Sequence, residues 1–85
     1  MSSFHVRVQI ESLEDGGYLA DCPAIQGCYA EGKTVGDALD NLRDVARVIY
    51  ELCQEKGLVF VTDHPDITFN ELVFDVEISA VRAVA

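Results

Sequence analysis

Two cysteines and a set of carboxylates are the residues in this chain whose types and spacing could do chemistry. Cys22 and Cys28 are separated by five residues, the first of which is Pro and the last Gly. A structural zinc site uses four ligands in clusters such as C-x-x-C, and a thioredoxin-like redox centre needs C-x-x-C at the start of a helix. The spacing here matches neither pattern, and His5 and His64 are remote from it in sequence. We therefore expect no metal site at these residues.

The same spacing suits the two sides of a hairpin loop. Cysteines that face each other across such a loop lie at a distance that a disulfide tolerates. A reducing cytosol argues against the bond, because thiols stay reduced there. The expectation is that Cys22, Cys28 and Cys53 are free thiols that behave as small apolar residues around one core.

Acidic residues on neighbouring strands are the second candidate for chemistry. Asp21, Glu31, Asp75 and Glu77 could converge on one sheet face, as the carboxylates of a two-metal nuclease do. Exposed cross-strand acids are far more often solvated charges, and Arg7 would neutralise part of such a cluster. The sequence also lacks a phosphate-binding G-x-x-x-x-G-K loop and a Ser or Cys with a recognisable base partner. We therefore expect no enzyme activity, no catalytic residue and no cofactor.

The charge balance indicates the kind of partner. Fifteen acidic residues against six basic ones give a formal net charge of −9. That field repels phosphate backbones, which disfavours direct nucleic-acid binding, and attracts a basic partner. Acidity that only keeps a small protein soluble is the alternative explanation, and on composition alone it is the more common one.

Length and hydropathy predict one domain over residues 1–85 in the cytoplasm. No run approaches the roughly 18 apolar residues that a membrane span needs, so no membrane association is expected. The N-terminal residues lack the basic and then apolar segments of a secretory signal.

Hydrophobic periodicity predicts the elements that must position these residues. Alternation over residues 4–10 is typical of a half-buried strand, and the acidic and glycine residues at 14–17 predict a hairpin turn after it. Residues 18–22 and 28–31 then predict a second and a third strand. A final alternating run over residues 72–80 predicts the last strand.

A long amphipathic helix is predicted between the third strand and the last. Thr34 is a good N-cap and Gly57 a good C-cap. Nine apolar residues recur at steps of three and four: Val35, Ala38, Leu39, Leu42, Val45, Ala46, Ile49, Leu52 and Cys53. The element order is therefore β-β-β-α-β, an α+β fold with a single sheet and one long helix on one face.

One helix leaves the other face of the sheet bare. The residues expected beneath the helix are Phe4, Val6, Val8, Ile10, Tyr18, Ala20, Cys22, Cys28, Ala30, Leu72, Phe74, Val76 and Ile78. The residues expected on the bare face are Arg7, Leu19, Asp21, Tyr29, Glu31, Asp75 and Glu77. Leu19 and Tyr29 are large apolar side chains that would be exposed to water on this face, beside Val73 and Val81. These four residues are therefore predicted to form an oligomer interface. The last strand adds a long edge, and edges tend to pair, so we expect a homo-oligomer.

Residues 14–46 carry an ordered series of motifs. An acidic-glycine turn leads to an aromatic residue with Ala, then C-P-x-x-x-G-C, then E-G-x-T and a helix with A-L-x-N-L. The residues that carry them are Gly16, Gly17, Tyr18, Ala20, Cys22, Pro23, Gly27, Cys28, Glu31, Gly32, Thr34, Ala38, Leu39, Asn41 and Leu42. In this order and spacing the segment resembles the HicB-like antitoxin family, the UPF0150 group of small proteins.

The resemblance implies a fold like a truncated ribonuclease H without a working nuclease site. It also implies a partner, a small basic mRNA-cleaving toxin of the HicA type, which the antitoxin neutralises. Asp15, Asp21 and Glu31 are the residues expected to bind it, since turn and open-face positions leave them free to meet a cation. Many full antitoxins carry a C-terminal DNA-binding domain, and none is expected within residues 1–85. The alternative is a stand-alone structural or ligand-binding homo-oligomer with no toxin partner.

Overall fold

The structure, a computed structural model, describes residues 3–61 and 66–78 of the chain. Its elements are β1 (Phe4–Ser12), β2 (Tyr18–Asp21), β3 (Tyr29–Gly32), α1 (Val35–Lys56), a short 3₁₀ helix (Phe69–Glu71) and β4 (Leu72–Ile78). The predicted order β-β-β-α-β and the α+β class are confirmed. His64 and Val81 lie outside the described residues.

The four strands form one sheet in the order β3-β2-β1-β4. The hairpins place β2 antiparallel to β1 and β3 antiparallel to β2, whereas β4 runs parallel to β1. A parallel neighbour needs a crossover connection, and the segment that contains α1 supplies it. The first and last strands are therefore adjacent, with β3 and β4 at the two edges.

Helix α1 begins and ends where its capping residues predict. The Thr34 side chain accepts a hydrogen bond from the Asp37 backbone N–H at 3.0 Å. Gly57 adopts φ 68°, and its N–H donates to the Cys53 carbonyl, a left-handed geometry that favours glycine. At the β3–α1 junction a side chain on Gly32 would overlap the backbone of Ala38, so glycine lets the helix start directly against the strand.

The core lies between α1 and the sheet. Its buried residues are Val6, Val8, Ile10, Ala20, Cys22, Ile25, Cys28, Ala38, Leu42, Ala46, Phe60, Val61, Ile67 and Leu72. Half of them belong to the predicted covered face of the sheet and three to the predicted apolar side of α1. The remaining four were not predicted: Ile25 lies in the β2–β3 loop, and Phe60, Val61 and Ile67 come from a segment without clear periodicity. Tyr50 packs edge-on against Phe60, with ring centroids 5.0 Å apart. Among the described residues no helix combines the length and apolar character needed to cross a membrane.

The prediction that Val76 and Ile78 lie beneath the helix is wrong. These side chains are 41% and 66% exposed. The reason is that α1 packs mainly against β3 and β2, and β3 is at the opposite edge of the sheet from β4. Only the first half of β4 is covered, where the Arg43 guanidinium lies over the Phe74 ring, 5.4 Å from its centroid.

Candidate functional site

The sheet face opposite α1, here called the open face, is strongly acidic. Alternation along the strands points one set of side chains into the core and the other set outward. In the described strands the outward charged side chains are five carboxylates, one Arg and one His: Glu11, Asp21, Glu31, Asp75, Glu77, Arg7 and His5. The face therefore carries an excess of negative charge, distributed unevenly between its two halves.

On the β1–β4 half of the open face, acids are paired with basic side chains. Arg7 lies directly opposite Asp75 in the parallel register, and its Nε is 3.7 Å from Glu77 Oε2. Arg7 thus neutralises part of the acidic cluster, as expected from the sequence. His5 places its Nδ1 3.0 Å from Asp75 Oδ2. The basic groups of this face are thus engaged within the chain.

The β2–β3 half has a different arrangement. Leu19 lies opposite Glu31 and Asp21 lies opposite Tyr29, so apolar and acidic side chains alternate like a chequerboard. We call these four residues the β2–β3 patch. Tyr29 is 62% exposed, and Leu19 and Asp21 are half-buried. Within residues 3–61 and 66–78, neither the Asp21 nor the Glu31 carboxylate forms a hydrogen bond or an ion pair.

The patch is held by its neighbours in the fold. Asn41, on the first half of α1, donates a hydrogen bond from Nδ2 to the Glu31 carbonyl at 2.8 Å. That bond fastens the outer strand β3 to the helix, while the two antiparallel hairpins fix its register. The backbone that carries Glu31 is therefore anchored, although its side chain is exposed.

Asp15 joins the patch from the β1–β2 turn. Its carboxylate accepts the Gly17 N–H at 3.3 Å, which stabilises the turn. Asp15 and Glu31 both line a shallow hollow of about 580 Å³ together with Lys33. Asp15 and Glu31 thus line the same hollow, and Asp21 is the diagonal neighbour of Glu31 in the β2–β3 register. The role of these three acids in partner binding stays a prediction.

The predicted oligomer interface is less continuous. Leu19 and Tyr29 are diagonal neighbours within the β2–β3 patch. Val73 is 36% exposed, but it lies on β4, opposite His5 of β1. Strand β1 therefore separates Val73 from the patch. Val81 falls outside the described residues, so the four residues are not brought together as one site in the described part of the chain. Their role stays a prediction.

The cysteines of the hairpin loop continue the β2–β3 register by one pair. The Cys22 N–H donates to the Cys28 carbonyl at 3.0 Å, and both residues are free thiols that are buried in the core, as predicted. The Cys28 thiol donates to the Leu42 carbonyl at 4.0 Å. The Cys28 side chain lowers the pKa of Cys22, and the Cys22 side chain together with burial raises the pKa of Cys28. Cys53, on α1, is a free thiol and half-buried.

The described residues contain no group of three or more His, Cys, Asp or Glu side chains that could hold a metal ion. The Asp75 and Glu77 carboxylates, considered above as nuclease ligands, are engaged by His5 and Arg7. Asp21 and Glu31 lie on the other side of β1. The acids of the open face therefore form two separate groups, and what they offer chemically is a surface for cationic groups.

Comparison with known proteins finds relatives in one group of small proteins. The chain is 39% identical over 49 residues to a UPF0150 protein of Synechocystis sp., a match that covers 58% of this chain and 65% of that relative. It is 43% identical over 42 residues to another Synechocystis UPF0150 protein, covering 49% and 58%. A UPF0150 protein of Thermoplasma acidophilum is 42% identical over 44 residues, covering 52% and 64%. The resemblance to the UPF0150 group is confirmed.

The similarity to the UPF0150 group is partial in extent. The chain spans less than two thirds of the length of each of these relatives. No protein-family model matches the chain, and no solved structure matches it significantly. The group, which is HicB-like, points to antitoxins, and the likeness to a truncated ribonuclease H stays a prediction.

Proposed function

We propose that this chain is an antitoxin-like binding module that receives a small basic mRNA-cleaving toxin of the HicA type on its open face. The observation that carries the proposal is the β2–β3 patch. The carboxylates of Asp21 and Glu31 have no hydrogen-bond or ion-pair partner among the described residues and flank the exposed ring of Tyr29. A basic side chain can pair with these carboxylates without first breaking an ion pair inside the chain.

Tyr29 makes the patch suited to arginine in particular. A guanidinium can stack on the face of an aromatic ring while its N–H groups pair with a neighbouring carboxylate. Asp21 lies directly opposite Tyr29 in the register, so one arginine could meet both groups. Such stacking contributes about 0.5–1 kcal/mol at exposed sites and about 2 kcal/mol when water is excluded.

The net charge supports the same partner over longer distances. A chain with a formal charge of −9 attracts a basic protein and speeds the encounter. Salt screens this attraction over a Debye length of about 8 Å at physiological ionic strength. Association with the toxin is therefore expected to slow as salt rises.

The experiment is a binding measurement with a purified HicA-type toxin at several salt concentrations. One variant carries Asp15→Lys, Asp21→Lys and Glu31→Lys. The matched control reverses three exposed acids of α1: Asp40→Lys, Glu51→Lys and Glu55→Lys. Both variants change the net charge equally, so any difference between them reports where the toxin binds.

We expect the open-face variant to lose much more association rate and affinity than the helix variant, and to lose inhibition of RNA cleavage. Equal effects in the two variants would contradict binding at the β2–β3 patch. RNA cleavage by the purified chain itself, abolished by Asp21→Asn, would contradict the antitoxin proposal as a whole.

A second candidate function is a stand-alone homo-oligomer without a toxin. The observation that favours it is the exposure of Tyr29 and Val73, 62% and 36%, on the sheet face that α1 leaves bare. A second copy of the chain would remove such apolar surface from water. If both functions use the patch, addition of the toxin will dissociate the oligomer, which sedimentation can follow directly.

A further inference from the structure

The loop between β2 and β3 holds a pair of thiols that the partner surface does not use. Asp21 and Tyr29 form the last strand pair, and Cys22 lies opposite Cys28 one step further. Directly opposed residues of an antiparallel pair have Cβ atoms about 4.5–5.5 Å apart, and a disulfide needs about 3.5–4.5 Å. Cys22 and Cys28 share a backbone hydrogen bond and so belong to the wider kind of pair. An approach of roughly 1 Å would bring them within disulfide range.

The two sulfurs already interact and are not equivalent. The neighbouring Cys28 side chain lowers the pKa of Cys22, and the backbone N–H groups of Ala24 and Ile25 act in the same direction, whereas burial opposes them. The Cys22 side chain and burial raise the pKa of Cys28, and the Cys28 thiol donates to the Leu42 carbonyl of α1 at 4.0 Å. Cys22 is therefore assigned as the sulfur that is oxidised first, and Cys28 as the sulfur that then attacks it.

We propose that Cys22 and Cys28 form a dithiol pair that closes to an intrachain disulfide when the protein meets a small hydroperoxide. This inference does not rest on the toxin-binding proposal. It assigns a redox function to the C-P-x-x-x-G-C segment, which the partner surface leaves unexplained.

The chemistry balances with hydrogen peroxide as the oxidant. The Cys22 thiolate attacks one peroxide oxygen, the O–O bond breaks, and the leaving hydroxide takes a proton to become water. Cys22 is then a sulfenic acid. The Cys28 sulfur attacks the Cys22 sulfur, the S–O bond breaks, and a second water leaves with the Cys28 proton. Two thiols and one peroxide thus give one disulfide and two waters, and the sulfurs supply the two electrons.

The surroundings favour a small oxidant over a bulky one. Cys22 and Cys28 are 0% and 1% exposed, so a protein or a large disulfide cannot reach them in the closed state. The loop that joins them spans residues 23–27, and all of it except Ile25 is exposed. The proposal requires a local opening of this loop, which would also expose Ile25, a core residue in the closed state.

The test uses the full chain with Cys53→Ser, so that only the two loop thiols remain. The reduced protein is treated with hydrogen peroxide under native conditions, quenched, denatured and alkylated with N-ethylmaleimide. We expect an intact mass lower by two hydrogen atoms, no added maleimide, and a proteolytic peptide that joins Cys22 to Cys28. Dithiothreitol should restore two alkylatable thiols.

Two single variants in the same background test the assigned roles. With Cys28→Ala, dimedone should trap a sulfenic acid at Cys22, whereas with Cys22→Ala the remaining Cys28 should react much more slowly. Circular dichroism checks that both variants fold, and if they do not, the Cys53→Ser protein alone decides. Two alkylatable thiols after native peroxide treatment would overturn the proposal, as would a bond that forms only after unfolding or only between two chains.

Discussion

Replacing Gly32 with alanine should destabilise the fold through the junction that places β3 and Glu31 against the helix. A Cβ built on Gly32 lies 2.7 Å from the Asp37 carbonyl carbon and 2.8 Å from the Ala38 Cα. Carbon atoms in favourable contact are about 3.5–4.0 Å apart. The Ala38 backbone nitrogen is closer still. The first turn of α1 must therefore move by about 1 Å, because the atoms that the new Cβ meets are backbone and cannot rotate away.

The expected cost follows from this displacement. Overpacking of a well-packed site costs about 1–3 kcal/mol, and here the obstruction is backbone, so the upper part of that range applies. In a domain of this size each kcal/mol lowers the melting temperature by about 4–8 °C. Urea unfolding followed by circular dichroism gives the free energy of unfolding directly, with all variants at one protein concentration.

Gly36→Ala is the matched control, since it makes the same chemical change four residues away. A Cβ at Gly36 has only the Thr34 Oγ1 nearby, at 3.9 Å, and the position is helical. Alanine there should stabilise by ~0.4–1 kcal/mol, because it restricts the unfolded chain. Equal stability of Gly32→Ala and the wild type, or the same shift in both variants, would refute the close approach of β3 and α1.

Three further predictions use neighbouring features. Leu42→Ala should lower the free energy of unfolding by about 2–5 kcal/mol because Leu42 is fully buried. Leu52→Ala, on the exposed side of the same helix, should lower it far less. Similar losses for the two variants in urea unfolding would contradict the orientation of the helix. Thr34→Ala should cost about 0.5–2 kcal/mol by removing the N-cap, and an unchanged unfolding midpoint would show that the cap bond contributes nothing. Sedimentation at high micromolar concentration should show an assembly that Tyr29→Ser weakens, and a 9.3 kDa species from the wild-type chain would reject the oligomer.

Local patterns were enough to predict the elements of this protein. Period-two alternation and the glycine turn predicted β1 and the first hairpin, and apolar spacing with Thr34 and Gly57 predicted α1 within its observed bounds. These signals are readable because strand and helix periodicity and capping act between residues close in sequence. The motif series of residues 14–46 likewise predicted the UPF0150 resemblance that the relatives confirm.

The candidate site was predictable only in part. Placing Asp21, Tyr29 and Glu31 on one face needs no more than alternation and two hairpins. Their chequerboard arrangement depends on the register of β2 against β3, which a slip of one residue would invert. The hollow that Asp15 shares with Glu31 depends on how the β1–β2 turn bends toward the end of β3.

Tertiary structure alone decided how the helix lies across the sheet and which charges meet. Alternation places Val76 and Ile78 on the face of β4 that the helix covers. However, α1 packs mainly over β3 and β2, near the opposite edge of the sheet, and leaves these two side chains exposed. His5 meets Asp75 across 70 positions of sequence, and the Cys28 thiol meets the Leu42 carbonyl of α1 at 4.0 Å. Each outcome depends on distances between elements remote in sequence, and those distances are set by packing and strand order, not by any local pattern.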